Sequence, residues 1–340
     1  MKILHLGDLH FGAKQDDPWI QFIQRDGIRQ AIEISRKYGI KKWIQTGDWF
    51  DVRKAITHTT LEFNREMCEQ IAAEGIEIDV IVGNHDMHHK NTVNPNACTE
   101  LLTHYSNIKV YDKPTTVDYD GLWIDLIPWM CSTNTSEILT HIKTSAATHC
   151  VGHWELNGFW FYKGLKSHGI ESDFLSKYEH VVSGHFHTRS KKGNIEYIGT
   201  PYTLTAGDEN DPRGFVILDT ETRKYTFIEN ETMWHEKIYY PATDIDFSKF
   251  KNKSVRVVIE AVDKNLPAFE NELEKVVHSL RTVSGIDNSI ELAEGEEIDL
   301  TIKSMPELMD EYVASMPECT PEDVVAIKHM VKQLWIECTA

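Results

Sequence analysis

Five short runs in this chain share one pattern: an apolar, strand-like segment ends at a glycine, and side chains able to bind metals or move protons follow at once. They are Gly7-Asp8-Leu9-His10, Gly47-Asp48-Trp49-Phe50-Asp51, Gly83-Asn84-His85-Asp86, Gly152-His153 and Gly184-His185-Phe186-His187. Each places a carboxylate, amide or imidazole where a strand gives way to a loop. Five such ends in one chain point to a single shared site, so the fold must bring strand termini together.

The intervening sequence supplies such a fold. Residues 2–7 alternate as a strand. Residues 19–38 set Ile20, Ile23, Ile28, Ala31, Ile32 and Ile34 at helical spacing, stopping near Gly39. A strand at 42–45, a helix at 61–73 closed by Gly75, and a strand at 76–82 follow. This β-α-β-α-β opening predicts a parallel or mixed sheet with helices on its faces, and sites in such sheets gather at the carboxyl ends of the strands. Beyond it the chain is richer in strands, near 108–111, 123–127, 149–151, 180–183, 195–198, 215–219 and 225–228, with short helices near 136–144 and 172–177. The expectation is an α/β fold of two packed mixed sheets flanked by helices, occupying residues 1–247.

Two further parts are expected. Residues 248–303 read as a small α+β capping domain, with a strand at 255–262 and an apolar helical face of Phe269, Leu273, Val276, Val277 and Leu280. Its 287–299 stretch carries six acidic residues and no basic one and reads as a solvated loop. Residues 304–340 read as a helix pair. Ser304-Met305-Pro306-Glu307 has capping-box spacing before Leu308, Met309 and Tyr312, and Thr320-Pro321 opens a second helix with Val324, Ile327, Val331, Leu334 and Trp335 along one face. Such a pair either closes the small domain's core or docks a partner.

Composition excludes several classes. The apolar share of 41% and charged share of 26% suit a soluble globular protein. The six cysteines form no C-x-x-C pair and read as reduced thiols. No signal-peptide pattern or membrane-length apolar run is present, so a cytoplasmic protein is expected. A net charge of -18 argues against general polyanion binding, so any nucleic-acid contact must come from local basic loops, bound cations or a partner.

The five runs together offer Asp8, His10, Asp48, Asn84, His153, His185 and His187, seven oxygen or nitrogen donors. They suffice for two metal ions if one carboxylate bridges. A mixed carboxylate, amide and imidazole set suits manganese, iron or zinc better than calcium or magnesium.

In motif order and spacing the chain resembles the calcineurin-like binuclear metallophosphoesterases. Its Asp8-Leu9-His10, Gly47-Asp48-Trp49-Phe50-Asp51, Gly83-Asn84-His85-Asp86 and Gly184-His185-Phe186-His187 are more closely similar to the SbcD and meiotic-recombination-eleven nucleases. The segments at 51–58 and 207–214 resemble phage SbcD-like exonuclease subunits. The resemblance implies two divalent cations, Mn2+ first and Mg2+ as the alternative. Asp8, His10, Asp48 and His187 would hold one, and Asp48, Asn84, His153 and His185 the other. It also implies a DNA exonuclease with endonuclease activity in recombination, repair and replication, acting on double-stranded ends and on single strands or hairpins. The family works as a homodimer with an SMC-like ATPase of SbcC type, for which Leu308, Tyr312, Ile327, Val331, Leu334 and Trp335 are the candidate dock. A phage-encoded member would act in the host cytoplasm.

Within that frame His85 is the candidate to protonate the leaving oxygen, and Asp51 the candidate to orient the His85 imidazole or, equally, to cap its own loop. Three basic stretches leave strand ends on the expected metal side and are candidates for DNA: Arg53-Lys54, His88-His89-Lys90 and Arg189-Ser190-Lys191-Lys192. The alternatives are solvated loops and, before Gly193-Asn194, a hairpin turn. Trp129, Trp154 and Trp160 read as core residues, although Trp154 beside His153 could flank a nucleotide. Competing functions are a protein phosphatase, a cyclic-nucleotide phosphodiesterase or a scaffold without catalysis. The intact donors and His85 oppose the last.

Overall fold

The computed structural model describes residues 1–285 apart from 163, 164 and 244, together with Val324, Ile327 and Lys328. Two six-stranded mixed sheets pack face to face. The first has the order Lys224–Glu229, Gly214–Asp219, Lys2–Leu6, Lys42–Gln45, Glu77–Ile81, Ile108–Tyr111. Its last four strands run parallel, and the first two are antiparallel additions. The second has the order Ser190–Lys192, Ile195–Tyr197, His180–Gly184, His149–His153, Leu122–Ile127, Thr115–Tyr119, with its four central strands parallel.

Hydrophobic periodicity explains the layers. Strand residues of one parity, including Ile3, Ile44, Ile81, Val151, Val182 and Val216, fill the space between the sheets. Residues of the other parity, such as Leu4, Trp43 and Val80, face the helices Pro18–Tyr38 and His58–Ala73. On the far side Cys150 and Val181 pack with Ile138 and Ile142 of the helix Thr135–Thr144. The fold is thus the expected helix-sheet-sheet-helix sandwich. The long helix is set by local chemistry: the Asp17 carboxylate accepts from the Trp19 and Ile20 amides, Pro18 starts the helix, and Gly39 at φ 68° ends it.

A three-stranded parallel sheet, His235–Tyr240, Ser254–Ile259 and Ser279–Ser284, packs with the helix Leu266–Glu274 around Tyr240, Phe250, Val255, Val257 and Leu273. It starts at His235, upstream of the boundary at 248 expected from sequence, because its first strand is completed by a parallel partner about twenty residues further on. Trp19 of the long helix stacks on His278 at 4.3 Å and donates to the Asn252 carbonyl, so this sheet rests on the main domain.

The chain divides into Met1–Ile286 and Asp287–Ala340. Within the second part, Val324, Ile327 and Lys328 are helical and half-buried. Leu308, Tyr312, Val331, Leu334 and Trp335 lie outside the described residues. Among the described residues no helix is long and apolar enough to cross a membrane.

Candidate metal centre

All five glycine-led runs emerge at one end of the sandwich, and their donors meet. Asp8, His10 and His187 place one ligand atom each within 4.8 Å of one another, as do Asp48, His153 and His185. Asn84 joins the second group, with its Oδ1 3.0 Å from both His153 Nε2 and His185 Nδ1. Asp48 touches this group through its Oδ2, 3.3 Å from His153 Nε2. All seven donors therefore converge.

The backbone is bent to make this possible. His10, Asp48 and His185 adopt φ of 50°, 55° and 88°, a left-handed region that non-glycine residues enter at a cost of about 1–3 kcal/mol each. The Asp48 carbonyl accepts from both the Leu9 and His10 amides at 3.0 Å, tying the first two runs together. Gln24, fully buried in the long helix, donates to the Leu9 and His10 carbonyls. A Cβ at Gly83 would lie 2.2 Å from the Asp48 amide and carboxylate, so only glycine allows the second and third runs to approach.

The donor atoms suit cations better than one another. His10 Nε2 and His187 Nε2 face each other at 3.0 Å, and buried His185 Nε2 has no hydrogen-bond partner. Burial pushes His185 and His187 down to about 3. Burial also opposes charge on His10 and His153, but Asp51, Asp48 and Asp8 beside the first and Asp48 beside the second outweigh it, holding both near 9. Five buried and two half-buried donors converging with their lone pairs in conflict fit divalent metal ions. The second nitrogen of His153 is already used to aim its ring: Nδ1 donates to the Thr46 carbonyl at 2.7 Å.

His85 lies beside the donors, its ring edge-on to His10 at 5.0 Å. Its Nδ1 donates at 2.7 Å to the main-chain carbonyl of Asp51, whereas the Asp51 carboxylate lies 3.1 Å from His10 Nδ1. The expected pairing of the Asp51 carboxylate with His85 is thus corrected. The short loop carries the side chain back over His10 and leaves only its carbonyl facing His85.

Two contributors had no role in the sequence reading. Asp86 is fully buried and accepts from the Asp48 and Gly83 amides through Oδ2, at 2.9 and 2.8 Å, and from the Phe50 amide through Oδ1 at 3.0 Å. Its only signal was its place in the Gly83-Asn84-His85-Asp86 run. Trp129, read from sequence as a core residue, is half-buried and packs its ring on His185 and His153, with centroids 5.0 and 5.8 Å apart. Trp154 is core, and Trp160 is 40% exposed.

The basic candidates divide. Lys54, His88 and Lys90 are exposed and Arg53 is half-buried. Arg189 and Lys191 instead reach the Glu196 carboxylate at 2.7 and 3.6 Å, and Arg189 lies over the Phe227 ring. Ser190–Lys192 forms a hairpin with Ile195–Tyr197, turning at Gly193, the structural alternative for this stretch, with Lys192 exposed on its edge.

A sandwich of mixed sheets with such a centre at its strand ends is that of a phosphoesterase. The chain matches the calcineurin-like phosphoesterase family over residues 1–189 and belongs to that family. Over all 340 residues it is 61% identical to Exonuclease subunit 1 of Enterobacteria phage T4, covering 100% of both chains.

Proposed function

We propose that the chain is a metal-dependent DNA exonuclease with endonuclease activity, hydrolysing phosphodiester bonds at a centre of two divalent metal ions, Mn2+ before Mg2+. The observation that carries this reading is the convergence of Asp8, His10, Asp48, Asn84, His153, His185 and His187 in a chain 61% identical along its length to a phage exonuclease subunit. Asp8, His10, Asp48 and His187 would hold one cation and Asp48, Asn84, His153 and His185 the other. Bound there, the cations supply Lewis-acid activation of water and neutralisation of charge on the phosphate.

The chain's own groups do the rest. The Asp51 carbonyl accepts a hydrogen bond from His85 Nδ1–H, which leaves Nε2 as the free ring nitrogen; the imidazolium form gives its Nε2 proton to the leaving oxygen and returns to neutral imidazole. Asp51 orients His10 through its carboxylate. Arg53, Lys54, His88, Lys90 and Lys192, exposed or half-buried in segments after strand ends, are the candidates to meet DNA phosphates. Arg189 and Lys191 shape the loop through Glu196. By family, the chain acts as a homodimer in the cytoplasm with an SMC-like ATPase of SbcC type, held through the segment that contains Ile327.

The test is incubation with end-labelled linear duplex DNA and manganese beside an Asp48→Asn control. Metal-dependent release of nucleotides that vanishes in the control is expected. Hydrolysis of p-nitrophenyl phosphate with DNA untouched would overturn the nuclease reading.

A further inference from the structure

The two ring nitrogens of His185 have different surroundings. Nδ1 faces the other donors: it lies 3.0 Å from Asn84 Oδ1, which is itself 3.0 Å from His153 Nε2. Nε2 leaves the ring in another direction, is shielded from solvent and has no hydrogen-bond partner. One carboxylate of the described residues stands beside it, that of Glu155, with Oε2 at 3.9 Å.

Glu155 lies just past His153, in the loop that follows the strand His149–His153. The main chain there is fixed. The Glu155 carbonyl accepts from the Ile170 amide at 2.9 Å, and the Leu156 amide donates to the Tyr197 hydroxyl at 3.2 Å. A Cβ at Gly169 would fall 2.0 Å from the Glu155 carbonyl oxygen, so only glycine lets the two loop segments meet. The carboxylate is the part with room to move. Its side chain is 47% exposed, and Oε1 accepts from the Ser167 hydroxyl at a long 3.5 Å. A shift of about 1 Å brings Oε2 within the roughly 2.7–2.9 Å of a charge-assisted bond to Nε2.

The chemistry of a ligating histidine asks for such a partner. A neutral imidazole carries one proton, so a His185 that offers the Nδ1 lone pair to a cation holds its proton on Nε2. Buried there without an acceptor, that N–H would be unsatisfied. His153 meets the same need with the Thr46 carbonyl at 2.7 Å. A carboxylate does it more strongly, because its charge favours the proton on the near nitrogen and makes the far one a better donor.

We propose that Glu155 is a positioning residue of the metal centre. Its carboxylate takes the Nε2 hydrogen bond of His185, fixes the tautomer that turns the Nδ1 lone pair toward Asn84 and His153, and tightens the hold of that half on its cation. The assignment rests on the two-cation reading above and deepens it. With the Asp51 carboxylate 3.1 Å from His10 Nδ1, each half of the centre then has one histidine backed by a carboxylate.

The test is calorimetric titration of the metal-free full chain with manganese alone, for the wild-type protein, Glu155→Gln and Glu155→Ala, beside urea unfolding of each with a chelator present. Two ions are expected to bind the wild-type protein. Glu155→Ala should weaken one of them about tenfold to a hundredfold and leave the other ion and the unfolding midpoint unchanged. Glu155→Gln keeps an acceptor oxygen without the charge and should fall between; it carries the test alone if the alanine variant does not fold. Weakening of both ions with a lowered midpoint would mark a merely structural role and overturn the assignment, as would full manganese affinity in both variants. A wild-type chain that binds no manganese would overturn the two-cation reading itself and the role of Glu155 with it.

Discussion

Asp86 carries a sharp prediction because three backbone amides depend on it. At pH 8 its carboxyl is ionised, since burial, and next to it the Asp48 charge, raise its pKa only to about 6. The carboxylate accepts from the Asp48, Gly83 and Phe50 amides at 2.9, 2.8 and 3.0 Å, in a site closed to water. Asp86→Asn keeps the shape but has one acceptor oxygen in place of two. One or two of these amides must then face an N–H, at about 1–3 kcal/mol each, so the expected loss of stability is about 2–4 kcal/mol. Asp86→Ala orphans all three and should reach the upper end of single-substitution effects. The assay is urea unfolding at pH 8 with a chelator present, which separates the fold from the metals. A manganese titration of the same variant should show about tenfold to a hundredfold weaker binding, because the Asp48 backbone loses its anchor. An Asp86→Asn protein with wild-type unfolding midpoint and wild-type manganese affinity would refute this account.

Replacing His85 by Gln should lower DNA hydrolysis by about 10²–10⁴. Hydrolysis of bis-p-nitrophenyl phosphate, whose leaving group needs no proton, should fall far less; equal losses on both substrates would remove His85 from the leaving-group step. Asp51→Asn should weaken manganese binding about tenfold to a hundredfold through His10. The ratio of the two hydrolysis rates should stay at its wild-type value, because His85 is held by the Asp51 main chain; a shifted ratio would restore the carboxylate to His85. Glu196 tests the pH response away from the metals. Burial opposes its ionisation, but His180, Arg189 and Lys191 outweigh it and hold its pKa near 2, below the ordinary 4.5. Its stabilising contribution is therefore complete above pH 4.5 and lost as pH falls through about 2. Glu196→Gln should be less stable at pH 7 and show a flatter acid limb between those values in urea melts, and identical limbs would rule the network out.

The strand ends were legible because each combines two independent signals, a hydrophobic period that stops and a glycine followed by a polar donor. The same signals fixed the order of strands and helices that sets Asp8, Asp48 and Asn84 on neighbouring parallel strands. Sequence could not say which atom of Asp51 meets which ring, since carboxylate and carbonyl of one residue point in different directions out of one loop. Nor could it show that the exposed Arg189 is held by Glu196, which lies on the adjacent strand of a hairpin and is buried there. Trp129 was beyond reach for a related reason. It lies in a loop without periodicity, and its role comes from rings contributed by residues 24 and 56 positions further along the chain.

Both halves of the centre are shared between the sheets. Asp8, His10, Asp48 and Asn84 follow strands of the first sheet, and His153, His185 and His187 belong to or follow strands of the second. Ligand geometry therefore depends on how one sheet is set against the other, which an apolar interior of interdigitated side chains fixes only in part. Direct contacts at the strand ends supply the remainder. The His185 amide donates to the Asp8 carboxylate, and His153 Nδ1 donates to the Thr46 carbonyl. A Cβ at Gly184 would fall 2.5 Å from Asp8 Oδ1 and 2.6 Å from the Thr46 carbonyl oxygen. The glycine that opens the last run is there because backbone of the second sheet rests on a candidate donor of the first, Asp8. The donors are thus aimed by the chain's own contacts: within the first sheet the Leu9 and His10 amides and Asp86 hold His10 and Asp48, and across the sheets the Asp8 carboxylate holds His185.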